Sequence, residues 1–160
     1  MSNNKLAVIG IGNTLRRDDG IGIIVLESLL KFYKREGIAY LNFGTASFDL
    51  LHRLQDYDAV LLLDGINASL PIGGLKLFKL DGAEYNLDIP AASTHEINLK
   101  TLFEFSKTIV PKMKIYVAGI QIKDTSYGEG LSKALMNRLK GIVKEIARFI
   151  DKDLHGTKDS

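Results

Sequence analysis

Ile9-Gly10-Ile11-Gly12-Asn13-Thr14-Leu15-Arg16-Arg17-Asp18-Asp19-Gly20-Ile21-Gly22 joins a short apolar run, Leu6 to Ile9, to an amphipathic stretch that begins at Ile21. A buried strand delivers this segment and a helix leaves it. Gly10 and Gly12 let the backbone turn sharply and approach a neighbour closely, because they carry no Cβ. Asp18 and Asp19 fall in the strand-to-helix loop, where helix N-terminal amides tolerate negative charge. A glycine turn carrying acids at the carboxyl end of a strand is where open α/β sheets bind ligands.

Outward from this loop, strands alternate with helices. Apolar or alternating runs predict strands at Leu6–Ile11, Ala39–Phe43, Ala59–Leu63, Leu75–Leu80 and Ile115–Ile120. The first, third and fifth are almost continuously apolar, as strands covered on both faces are. Leu75-Lys76-Leu77-Phe78-Lys79-Leu80 alternates imperfectly and is expected near an edge. Helical spacing runs through Ile21–Lys34 and, more clearly, Leu131–Asp151, where apolar residues recur every three or four positions. Ser93-Thr94-His95-Glu96 is a capping-box pattern that predicts a third helix, and Ser47-Phe48-Asp49-Leu50-Leu51 opens a short fourth one. The irregular stretch Leu80–Ala92 is expected to form a flap beside the site, and Leu154–Ser160 a frayed tail. The pattern is that of a three-layer α/β sandwich with a mostly parallel sheet.

Composition narrows the class. A chain of 160 residues suits one domain, and 46% hydrophobic with 25% charged residues is ordinary for a globular protein. The apolar runs are too short to span a bilayer, and Met1-Ser2-Asn3-Asn4-Lys5 lacks a signal-peptide core, so a cytoplasmic protein without membrane insertion is expected. Without cysteine there is no disulfide, thiolate metal site or cysteine nucleophile. A net charge of +2, with scattered Lys and Arg, does not suggest nucleic acid.

Two more residues fit the geometry of the first loop. Asp64 follows Val60-Leu61-Leu62-Leu63 and is expected to cap the carboxyl end of a central strand. His95 is expected in the first turn of the third helix, whose dipole favours neutral imidazole, the form that binds metals or accepts protons. Loop carboxylates, Asp64 and His95 on three separate elements can make an open metal site, with O and N donors suited to nickel, zinc, manganese or iron. Each also has a purely structural reading: Asp18 and Asp19 as solvated first-turn acids, Asp64 as an acceptor for loop amides, His95 as a helix-start residue. His52 and His155 are expected on the surface. A dinucleotide site is disfavoured because Leu15 stands where the third glycine of the fingerprint belongs and Asn42-Phe43 ends the second strand without a carboxylate. A phosphate-accepting receiver domain would need acids directly at the first strand end and a lysine after the fifth, where Gly119-Ile120-Gln121 stands. No Gly-x-Ser-x-Gly elbow marks a serine hydrolase.

Taken together the chain resembles the nickel–iron hydrogenase maturation endopeptidases. The resemblance spans Leu6 to about Ile150. It rests on Gly10-x-Gly12-Asn13-x-Leu15-x-x-Asp18-Asp19-Gly20-x-Gly22, Gly44-Thr45-Ala46, Leu61-Leu62-Leu63-Asp64 and Ser93-Thr94-His95-Glu96, with Gly119-Ile120-Gln121 also similar. It implies a single maturation-protease domain over 1–160, with an ordered core of about 5–152. The implied sheet is twisted, mixed and five-stranded, with Leu75–Leu80 the candidate antiparallel strand. The implied activity is removal of a C-terminal extension from a nickel-loaded hydrogenase large-subunit precursor. Asp19, Asp64 and His95 match the metal-contacting and catalytic positions. Gly10, Gly12, Asn13, Asp18, Gly44 and Thr45 would support the substrate cleft. The nickel would be the precursor's own, captured by a half-empty shell, with no tightly bound cofactor in the enzyme. It would orient the scissile peptide while Asp19 or Asp64 activates water. A monomer is expected. The alternative is a nickel-binding chaperone or docking module that recognises the precursor without cutting it. One departure stands out: Asn42-Phe43-Gly44-Thr45 replaces the common Asp-Gly-Gly-Thr turn, which bears on substrate specificity.

Overall fold

Five strands, β1 (Leu6–Gly10), β2 (Ile38–Asn42), β3 (Ala59–Ile66), β4 (Leu75–Lys79) and β5 (Lys114–Gln121), pair in the order β2-β1-β3-β5-β4. This is the arrangement of the computed structural model, which describes residues 5–45, 48–80 and 99–155. The expected flap over 81–92, the capping box and His95 lie outside the described residues. Four strands run parallel and β4 runs antiparallel to β5, at the edge. The sheet is therefore mixed and mostly parallel, with the alternating strand where its half-covered pattern suggested.

Strict alternation sorts the central strands between two cores. Val8, Leu61, Leu63, Ala118 and Ile120 face α1 (Ile21–Phe32) and α4 (Lys133–Phe149), meeting Val25, Leu26, Leu29, Leu135, Ile142 and Ile146. Ala7, Ile9, Val60, Leu62, Ile115 and Val117 face the other side, under Leu50 and Leu51 of α2 (Phe48–Arg53), Leu54, and Leu102 of α3 (Leu99–Ile109). Both faces of β1, β3 and β5 are thus covered, which is why those strands read as unbroken apolar runs.

Most boundaries shift from expectation by a residue or two, and two differences are larger. Asp64 does not cap β3 but lies within it, opposite Gly119, because β5 continues to Gln121 and its ladder carries β3 on to Ile66. α4 passes into a π-helical turn, Ile150–His155, so Leu154 and His155 of the expected tail belong to a helical element, and 156–160 lie outside the described residues. His52 is exposed and meets Phe105 edge-on.

The chain reverses direction between β3 and β4 by crossing the carboxyl end of β5. Gln121 holds this crossing. Its Oε1 accepts from the Ala68 and Leu70 amides at 2.7 and 3.2 Å, and its Nε2 donates to Asn67 Oδ1 and the Ile122 carbonyl. The Gly73 amide donates to the Gln121 carbonyl, and the Gln121 amide to that of Gly74. A connection this short has no room for the helical crossover a parallel strand requires, so β4 returns antiparallel.

Candidate active site

The loop after β1 is held from both sides. The Ile11 amide donates to the Leu63 carbonyl at 3.0 Å, and the Gly12 amide to the Gly44 carbonyl at 2.7 Å. Gly12 has φ +151, and a Cβ there would collide with the Asp19 carbonyl, so only glycine fits. Asn13 turns the chain: its Oδ1 accepts from the Leu15 amide, while its own amide donates to Asp19 Oδ2 at 2.9 Å. Asp18 and Asp19 then fall in a 3-10 turn, Arg17–Gly20, and both are buried rather than solvated.

The two adjacent acids have different work. Asp18, with no exposed surface, accepts four hydrogen bonds: from the amides of Lys123 (3.3 Å), Asp124 (3.1 Å) and Ser132 (2.7 Å), and from the Ser132 hydroxyl (3.0 Å). Ser132 is the N-cap of α4 and accepts from the Leu135 amide. Asp18 therefore places a carboxylate at the positive end of α4 and ties the first loop to the segment after β5. Asp19 points instead toward Asn13, at the loop's inner turn.

Asp64 lies one residue beyond Leu63, the β3 partner of Gly10, and so at the same end of the sheet as the first loop. Gly22, in the first turn of α1, lies so close to the Leu63 and Ile11 carbonyls that a Cβ would overlap both. A Cβ at Gly65 would in turn lie 3.3 Å from Ile21. The start of α1, two residues after Asp19, thus packs against β3 on either side of Asp64, at Leu63 and Gly65. Asp64 is half-buried, and alternation from Leu63 puts its side chain on the α2–α3 face of the sheet. Among the described residues no three His, Asp or Glu side chains form a metal-holding group.

The departure at Asn42-Phe43 leaves the turn intact. Asn42 Oδ1 accepts from the Gly44 amide at 2.9 Å, as a turn-forming Asx residue does, and the Phe43 amide donates to the Gly10 carbonyl. Phe43 packs against the second core, with the Arg53 guanidinium 5.2 Å from its ring centroid. Gly44 (φ +50) hands its carbonyl to Gly12, and Thr45 is exposed beside it.

Sequence reasoning passed over the segment after β5. Arg17 donates from its amide to the Gly128 carbonyl, Gly128 from its amide to that of Leu15, and Asp18 from its amide to that of Asp124. Asp124 accepts from the hydroxyl and amide of Ser126 and lies 3.8 Å from Arg17, and these hold its carboxyl below the usual range. The legible signal was Gly128-Glu129-Gly130-Leu131-Ser132, glycines and a capping serine before an amphipathic run. A separate cavity of about 320 Å³, lined by Lys79, Phe103, Lys107 and Lys114 among others, lies at the opposite edge of the sheet and contains none of the candidate residues.

Known proteins share this fold. The sequence model of the hydrogenase maturation protease family matches residues 23–149. The hydrogenase expression/formation protein HupD of Thiocapsa roseopersicina is 21% identical over 93% of this chain and 69% of its own length. In structure, the hydrogenase maturation protease HycI of Thermococcus kodakarensis superposes with a TM-score of 0.73 at 24% identity, covering 92% of this chain and 93% of that one. The hydrogenase maturating endopeptidase HybD of E. coli superposes with a TM-score of 0.76 at 20% identity, covering 91% of each. With the fold matched throughout and most of the sequence matched by the family model, the chain belongs to the hydrogenase maturation protease family, a family of peptidases.

Proposed function

We propose that this protein is an endopeptidase that removes the C-terminal extension of a nickel-loaded hydrogenase large-subunit precursor, acting in the cytoplasm as a monomer. Membership of the maturation proteases supports the peptidase part of the reading. The site reading is supported by register: Gly10, where β1 opens into the Asp19 loop, pairs with Leu63, the residue before Asp64, so both acids belong to the carboxyl end of the sheet.

In this reading Asp19 and Asp64 supply half a coordination shell. His95, four residues before the described start of α3, is the proposed third donor, and Asp64 faces the α3 side of the sheet. The nickel is substrate, carried in by the precursor. Its positive charge would offset two neighbouring carboxylates, so a precursor without nickel meets an anionic cleft and docks poorly. Asp19 and Asp64 are the candidate bases for activating water in this aspartic-type scheme.

The test is the intact mass of a large-subunit precursor incubated with this protein, with and without nickel loading. Loss of a C-terminal peptide from the loaded form alone is expected. Binding without loss would identify a docking module, and loss in both forms would remove the metal checkpoint.

A further inference from the structure

We propose that Leu15, Arg16 and Tyr127 form a preset docking ledge for an extended segment of the precursor polypeptide, beside the Asp19–Asp64 site. The proposal rests on the function proposed above and adds where the substrate chain lies. Leu15 is 58% exposed and Tyr127 83%, two large apolar side chains on one rim. They come from segments more than a hundred residues apart, yet the Gly128 amide donates to the Leu15 carbonyl at 2.9 Å. Arg16 links them: its Nε donates to the Thr125 carbonyl at 3.1 Å and its guanidinium lies 5.3 Å from the Tyr127 ring centroid. The Arg16 carbonyl in turn accepts from the Asp19 amide at 3.0 Å, so the ledge and the candidate catalytic acid belong to one turn.

The ledge is rigid as well as exposed. Asp18 locks its two halves together through the amides of Lys123, Asp124 and Ser132. A surface already ordered before binding loses little further freedom, and Tyr and Arg are the residue types that most often dominate binding at interfaces. Among the described residues no carboxylate is paired with Arg16, so its remaining N–H groups are suited to a carbonyl or carboxylate of the partner. The fitting occupant is a peptide with an apolar side chain over Leu15 and Tyr127 and an acceptor oxygen at Arg16. An open ledge encloses too little of a small ligand to hold one.

The test measures binding of a fluorescently labelled, nickel-loaded large-subunit precursor to the full chain by anisotropy, with cleavage scored by mass in the same mixtures. The double variant Leu15→Ser/Tyr127→Ser is expected to bind roughly 10- to 100-fold more weakly, as loss of central contacts does, and Tyr127→Phe to bind nearly as the unaltered protein. Both altered side chains are exposed, so the unfolding midpoint should not move. Equal affinity of the double variant, or no binding by the unaltered protein, would overturn the ledge. So would a double variant whose only change is dissociation of a self-assembled form on gel filtration, since the occupant would then be a second copy. Weakened binding with no cleavage by the unaltered protein would uphold the ledge and remove the peptidase reading.

Discussion

The carboxylate of Asp18 accepts both the backbone N–H of Ser132, at 2.7 Å, and its hydroxyl, at 3.0 Å, so a residue of the first loop caps the last helix. The neighbouring Asp19 accepts instead from the Asn13 amide, within the first loop. Two adjacent acids in one turn thus divide into a structural anchor and a candidate catalytic group.

Replacing Asp18 by Asn should destabilise the protein by about 2–4 kcal/mol, because an amide cannot accept four hydrogen bonds with both ends and buried donors lose their partner. For a domain of this size that is a fall of roughly 5–12 °C in Tm, readable by thermal unfolding. An unchanged midpoint would show that the clamp bears no load.

Gly22→Ala tests the seat of α1 on β3. In an open helix this change helps by roughly 0.5–1 kcal/mol. Here the new methyl would overlap the Leu63 and Ile11 carbonyls, part of the backbone that positions Asp64, and the expected result is a loss of about 2–3 kcal/mol. Processing should fall further than stability alone accounts for, measured as the cleavage rate at a temperature where the variant remains folded.

Asp64→Asn and His95→Ala are each expected to abolish processing of a loaded precursor while leaving the circular dichroism spectrum unchanged. Either variant processing at the normal rate would remove that residue from the site.

Acid should loosen the segment after β5 late rather than early. The Ser126 hydroxyl, then the Ser126 amide, then the Arg17 charge hold the Asp124 carboxyl below its usual range. A depressed folded pKa contributes stability above the unfolded value, and that stability is lost as pH falls through the folded one. The protection of amides 124–128 against hydrogen exchange, taken relative to the intrinsic rate at each pH, should therefore stay constant from neutral pH to about 4 and fall only below it. Ser126→Ala removes the largest cause and should move the onset upward. An onset unchanged by that substitution would reassign the shift.

The order of strands and helices, the edge position of Leu75–Leu80 and the two buried faces were legible because they follow from periodicity, a local property of the chain, whereas the antiparallel direction of that strand came from the resemblance. Val60-Leu61-Leu62-Leu63 had to be covered on both sides, and Leu75–Leu80 could not be. The glycine loop announced a tight turn at a strand end for the same reason. The resemblance singled out Asp19, Asp64 and His95 as the candidate site.

The resemblance gives Asp18 and Asp19 different roles, but only the tertiary structure showed the structural work of Asp18, since its partner Ser132 lies at the far end of the chain from the first loop. The tertiary structure alone showed Gln121 bracing the crossing before β4, Asp64 inside rather than after its strand, and Leu15 meeting the Tyr127 segment. Burial and hydrogen-bond partnership arise between segments distant in sequence, and no spacing along the chain records which of two like carboxylates will find the donors.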